Sequence, residues 1–156
     1  MTTMEDLYPG GAGYHSAHEA YLHAVAAALA AAGFPNDGGN AEANDPRDGF
    51  VDLDLERLGS IWPDDEEVAV CWQEERGWWI LTITDPARSN GRFVYELGVA
   101  TIASPSTVVA AVAERAGLSI DVAADEHPDA DFSEHAFEDD DVPFELALRH
   151  YVATTP

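Results

Sequence analysis

The chain has 156 residues, enough for one domain that buries its own core without metals or disulfides. Thirty acidic residues stand against seven basic ones, all arginine, for a formal charge of −23, and such a field repels nucleic acid and anionic membrane, which are bound by cationic side chains. A single cysteine, Cys71, excludes an internal disulfide, and the longest apolar run, 24–32, is far short of the roughly 20 residues a membrane span needs, so the expectation is a cytoplasmic protein.

In chain order, residues 1–15 are Gly-rich and unpatterned and read as a flexible arm. Gly11-Ala12-Gly13 has no strand before it and no lysine after it, so it matches neither phosphate-binding fingerprint. Ser16 to Glu19 has the spacing of a capping box. It predicts a helix from Ala17 to about Ala32, with Tyr21, Val25 and Leu29 on the inner face. His18 and His23 are five positions apart, where zinc ligands on one helix face need four. Residues 35–48 are rich in Gly, Asn, Asp and Pro and read as a polar loop. Beyond Phe50, Val51, Leu53 and Leu55 alternate with Asp52, Asp54 and Glu56, which predicts a half-buried strand. Its carboxylates would stand about 6.6 Å apart in an acidic ladder on the wet face.

Leu58 to Asp65 is a connection in which Trp62 is expected to tuck over an edge of the core. Three antiparallel strands should follow between Glu67 and Leu97. Val68, Val70 and Trp72 alternate with Ala69, Cys71 and Gln73, and WWILTIT is β-branched and aromatic. The four residues from Glu74 to Gly77 make a hairpin loop, and Asp85 to Gly91 a second, longer one. Trp72, Trp78, Trp79, Phe93 and Tyr95 are all candidates for cross-strand aromatic contact. Ser104 and Pro105 then open a second helix, which runs to Ala116 and buries Val108, Val109 and Val112.

An Ala-rich helix, an acidic strand, the segment VAVCWQEERGWW, a further β pair and a Ser-Pro-capped, Val-rich helix together resemble a family of small uncharacterised domains associated with actinobacteria. The resemblance spans about Tyr21 to Gly117. It implies a fold and no chemistry, because that family carries no assigned activity.

After Gly117 the composition changes: residues 118–156 hold eleven acids and one arginine. LSIDV suggests an added edge strand, and the acidic segment 123–141 has no periodicity. A calcium loop starting at Asp129 would place Asp131, Ser133 and Asp140 at ligand positions. It has Glu134 where the sharp turn needs glycine, and it lacks the bidentate glutamate. Asp141, Val142 and Pro143 open a final helix striped by Phe144, Leu148, Tyr151 and Val152, so the chain divides as an arm 1–15, a domain 16–122, the acidic segment and a terminal helix and tail 142–156.

The fold expected is α+β: an antiparallel sheet of about four strands, two helices packed on one face, and an acidic C-terminal extension ending in a short helix. No nucleophile elbow, Walker loop, dinucleotide fingerprint or metal-ligand spacing is present, and His135 and His150 stand alone, so neither an enzyme nor a cofactor is expected. Acidity points instead to an adaptor for a basic protein. In its sharpest form the protein would mimic nucleic-acid charge toward a nucleic-acid-binding partner. Asp52, Asp54, Glu56 and the run Glu138, Asp139, Asp140 and Asp141 would carry that charge. Two other classes stay open: a small-ligand or divalent-metal site with Trp62, Trp78 and Trp79 lining a pocket, and a structural subunit of a larger assembly.

Overall fold

The structure is a computed structural model that describes residues 9, 11, 13–84, 91–122, 127–137 and 140–151. Its elements are α1 (Glu19–Ala31), β1 (Asn36–Glu42), β2 (Asp48–Leu53), α2 (Leu55–Leu58), β3 (Glu67–Gln73), β4 (Gly77–Ile83), β5 (Arg92–Glu96), α3 (Pro105–Arg115) and α4 (Val142–Arg149). The five strands pair antiparallel in sequence order, β1-β2-β3-β4-β5. Each connection is therefore between neighbours, the arrangement that short loops permit.

The three central strands and their first hairpin stand as the sequence predicts. Trp72 pairs with Trp78 and Val70 with Ile80, and Gly77 takes the positive φ of 85° that the tight loop needs. Alternation gives the sheet one buried face: Val51, Leu53, Val68, Val70, Trp72, Trp78 and Ile80 meet Tyr21, Leu22, Val25 and Leu29 of α1 and Val108, Val109 and Val112 of α3. Each of these large side chains contributes about 1.5–3 kcal/mol through burial. The polar atoms of Trp72, Trp78 and Tyr21 in the core are satisfied. Trp78 Nε1 donates to Tyr21 Oη at 2.9 Å, Tyr21 Oη donates to the Ala103 carbonyl at 2.5 Å, and Trp72 Nε1 donates to the Thr101 carbonyl at 2.8 Å. These bonds pin the irregular 97–104 segment across the end of the sheet.

Four expectations are corrected. The segment expected as a loop at 35–48 contains β1, so the sheet has five strands rather than four. A side chain at Gly39 would stand 2.7 Å from the backbone of Leu22, and one at Gly49 would collide with the Leu22 side chain. These glycines therefore mark the close approach of α1 to the sheet, not a turn. Ser16 does not cap a helix: it ends a 3-10 turn, Tyr14–Ser16, and its Oγ donates to the Gly13 carbonyl. His18 occupies the N-cap of α1 with no side-chain cap bond. LSIDV forms no strand, as residues 118–122 are irregular.

The C-terminal part returns to the same core. Phe144, Leu148 and Tyr151 are buried in it, Tyr151 against Tyr21 with ring centroids 4.8 Å apart. Ala130 pairs with Ile102 in an isolated antiparallel bridge. Tyr14, placed by sequence in the arm, is also buried, and its hydroxyl donates to the Phe137 carbonyl at 2.9 Å. Among the described residues no helix is long and apolar enough to cross a membrane.

Candidate functional site

No described helix covers the other face of the sheet, and its shape follows from residue size. Down the middle, β3 presents the small side chains Ala69 and Cys71. Phe50 of β2 and Trp79 of β4 flank Cys71, while Asp52 and Leu81 flank Ala69. Large, small, large across three strands makes a trough along β3. It forms a cleft of about 360 Å³, lined mainly by Phe50, Ala69, Cys71, Trp79, Leu81 and Ile83, with Asp48, Asp52 and Glu67 at its sides. Asp52 and Glu67 also line a second depression of about 550 Å³ together with Asp37, Asp54, Glu56 and Glu66. An apolar trough thus opens into an acidic basin.

Within the trough, burial and then the nearby Glu67 and Asp37 charges push the Asp52 carboxyl above its ordinary value. Burial pushes the Cys71 thiol up to about 12, so it remains protonated and unreactive. Arg76 lies over the Trp79 ring at 4.1 Å and gives its charge to Glu96, at 2.7 Å from Nε. No cation in the described residues is placed to neutralise Asp52 or Glu67.

The expected ladder is not a row. β2 ends at Leu53, because Asp54 leaves the strand to cap α2, its side chain accepting from the Glu56 N–H at 3.1 Å. Asp52 therefore lies on the sheet, while Asp54 and Glu56 lie on the following turn, though all three border the same basin. Glu138 and Asp139 fall outside the described residues. Asp140 is exposed, and Asp141 caps α4 and faces His135. The tryptophans expected to share a pocket are divided: Trp62 packs on Phe34, Trp78 is in the core, and Trp79 alone reaches the open face. Of the calcium-loop positions, Asp129 accepts from the Ser104 N–H and the Thr107 hydroxyl, and Asp131 from the Thr101 hydroxyl.

A second constellation escaped the sequence reading. Arg47, from the β1–β2 connection, is fully buried. Its guanidinium donates to Glu74 (Nε to Oε2 2.8 Å, Nη2 to Oε1 2.9 Å) and to Glu145 (Nη1 to Oε1 2.9 Å, Nη2 to Oε2 2.6 Å). A third acceptor is the Tyr14 carbonyl at 2.9 Å, and the Tyr14 ring lies 3.7 Å from the guanidinium carbon. His135 stacks on Phe144 at 3.7 Å and faces Glu74 through Nε2 and Asp141 through Nδ1, both at 2.8 Å. Carboxylates only accept, so both ring nitrogens carry hydrogen and His135 is an imidazolium. Burial works against that charge, but the bonds to Glu74 and Asp141 outweigh it and raise the His135 pKa. For Glu74, burial is likewise overcome by hydrogen bonds from His135 and Arg47, which hold its carboxyl down at about 2. Arg149 completes the set at 2.8 Å from Glu145. Glu74 lies in the expected hairpin loop and His135 is one of the histidines expected to stand alone, so neither spacing nor composition joins them. The one available signal was an arginine in the stretch NDPRDG of a chain that has so few.

This network joins the start of the described chain, two sheet loops, the 127–137 segment and α4. Each described charge in it has an oppositely charged partner within hydrogen-bond distance. Among the described residues, no group of three or more His, Cys, Asp or Glu side chains is placed to hold a metal ion.

A family model described as a family of unknown function, DUF6292, matches residues 21–114, close to the span expected from the sequence. Comparison with curated proteins and comparison with solved structures each give no match.

Proposed function

The chain belongs to DUF6292, a family of unknown function, and from its own residues we propose that it is a non-enzymatic binding module that takes a basic, amphipathic segment of a partner protein across the open face of the sheet. The observation that carries this is the continuity of the apolar trough with the acidic basin, joined at Asp52 and Glu67. Apolar side chains of the partner would fill the space over Ala69 and Cys71 between Phe50, Trp79 and Leu81. Lysine or arginine side chains would meet Asp52, Glu67 and Glu66. Burial and then the Glu67 and Asp37 charges raise the Asp52 pKa, and a positive charge placed there would relieve the second of these, which supports a cationic occupant. The bend at Asp54 breaks the regular spacing of charge that nucleic-acid mimicry would use, so a protein segment is preferred. A cytoplasmic setting belongs to the same reading, supported by the single, buried, free thiol of Cys71.

The test is calorimetric titration of the full chain with two synthetic peptides of equal charge, one alternating lysine with leucine and one alternating lysine with serine. The leucine peptide should bind roughly tenfold more tightly, and Asp52→Asn with Glu67→Gln should weaken it by a similar factor. Asp54→Asn with Glu56→Gln, farther from the trough, should weaken it less. Equal affinity for both peptides, or indifference to the Asp52 and Glu67 substitutions, would overturn the reading.

A further inference from the structure

The two edges of the sheet are treated differently. β1 is a blunted edge: it is rich in Gly and Asn and its register slips between Asn36 and Gly39. β5 is the opposite case, a regular strand, Arg92-Phe93-Val94-Tyr95-Glu96, with no proline, glycine or bulge. Phe93 is 46% and Val94 48% exposed, and no described strand pairs with its outer side. Exposed apolar edges of this kind favour strand addition.

The ladder fixes which main-chain groups point outward. Thr84 N–H donates to the Gly91 carbonyl and Leu97 N–H to the Trp78 carbonyl. Alternation along an antiparallel pair then turns the N–H and C=O of Phe93 and Tyr95 toward β4, and those of Arg92, Val94 and Glu96 outward. The strand also reads as its own complement. Laid antiparallel on a second copy about Val94, it sets Arg92 against Glu96, Phe93 against Tyr95, and Val94 against Val94. The outward groups of Arg92, Val94 and Glu96 then fall opposite one another, so each finds a main-chain partner. Oppositely charged and aromatic cross-strand pairs are the ones that stabilise such ladders.

Charge singles out the same place. Arg76, Arg92 and Arg115 all lie at this edge, Arg76 on Glu96 and Arg115 4.8 Å from the centre of the Tyr95 ring. In a chain whose total is −23, three of the seven arginines thus gather at one edge. We propose that β5 is a homodimerisation edge, on which two copies join through antiparallel β5 strands into one continuous sheet. The two-fold axis is perpendicular to the sheet, so both sets of helices lie on one side. The two open faces meet on the other, along Leu81 and Val94 of each copy.

The test is sedimentation equilibrium of the full chain over a range of protein and salt concentrations, with circular dichroism confirming the fold. A dimer should form and tighten as salt screens the mutual repulsion of two acidic chains, the reverse of the salt dependence expected for the basic segment. Val94→Pro removes an N–H that faces outward, which an edge strand tolerates, so it should leave a folded monomer. Should that variant unfold, charge exchange decides. Arg92→Glu alone should weaken association at least tenfold, and Arg92→Glu with Glu96→Arg should restore it. A monomer at every concentration, or a dimer indifferent to both Val94→Pro and Arg92→Glu, overturns the proposal.

Discussion

Glu74, Glu145 and Asp141 on one side of the molecule and Asp48, Asp52 and Glu67 on the other are the same kind of residue in opposite circumstances. Glu74 and Glu145 are enclosed and Asp141 is half-buried, and each meets Arg47, His135 or Arg149 at 2.6–2.8 Å. The other three border an open cleft with no described cation beside them. A buried ion must be matched or it destabilises the fold by several kcal/mol, whereas an exposed one costs little and remains available. The net charge of the chain is therefore a poor guide to its binding surface. What matters is which acids are left unmatched at a concave surface, and Asp48, Asp52 and Glu67 are three such acids at the open cleft.

The sharpest way to break this comparison is to remove the cation that matches the buried set. Arg47→Met leaves two enclosed carboxylates short of donors and should lower stability by about 3–5 kcal/mol, read as a shift in the urea midpoint with unchanged slope. A loss below about 1 kcal/mol would mean that water reaches the network. Next in size is His135→Gln, expected to cost about 1–3 kcal/mol by leaving hydrogen bonds to Glu74 and Asp141 unmade.

That second variant also carries a pH signature. The Glu74 pKa falls from an ordinary 4.5 to about 2, so its contribution is complete above 4.5 and is lost as pH falls toward 2. His135 is raised above 6.5, so its contribution is complete below 6.5 and is lost as pH rises through the raised value. Both are fully present only between 4.5 and 6.5. The stability difference between the native chain and His135→Gln should be greatest in that window and shrink on the alkaline side. A difference that is flat with pH would remove the imidazolium from the account.

How much of this was legible beforehand depended on whether a feature is local. The β3–β4 hairpin and α3 were readable because alternation, Gly77, Ser104 and Pro105 act within a few residues. β1 was not, since NDGGNAE has turn-forming composition. Gly39 answers to Leu22 of α1, seventeen positions away, where a side chain would strike the helix. The buried network was least legible of all: Arg47 and Glu145 are separated by 98 positions, and no spacing rule joins them. On the open face, the acids were visible and their border position was not. The strand was expected to continue to Glu56, but the cap that Asp54 provides bends the chain after Leu53.

That cap gives a smaller test within the open-face set. Asp54→Ala removes the bond to the Glu56 N–H and should cost about 0.5–1 kcal/mol, while its 3.7 Å approach to the exposed Arg57 adds next to nothing. Such a loss would make Asp54 structural and separate it from Asp52, its neighbour two residues away.

The smallest effect expected is also the one of opposite sign. Burial and then the nearby Glu67 and Asp37 charges raise the Asp52 pKa, so folding slightly disfavours its charged form. Above the ordinary carboxylate range, Asp52→Asn should therefore stabilise the chain, by about 0.3 kcal/mol given its exposure. The gain should vanish as pH falls and the native carboxyl takes up its own proton, and it should shrink in high salt, which screens the repulsion from Glu67. Loss of stability in Asp52→Asn would mean that the carboxylate is already matched, which would place it with Glu74 and Glu145. A small gain, together with weaker binding of the lysine–leucine peptide, would show a residue whose charge the fold tolerates rather than uses.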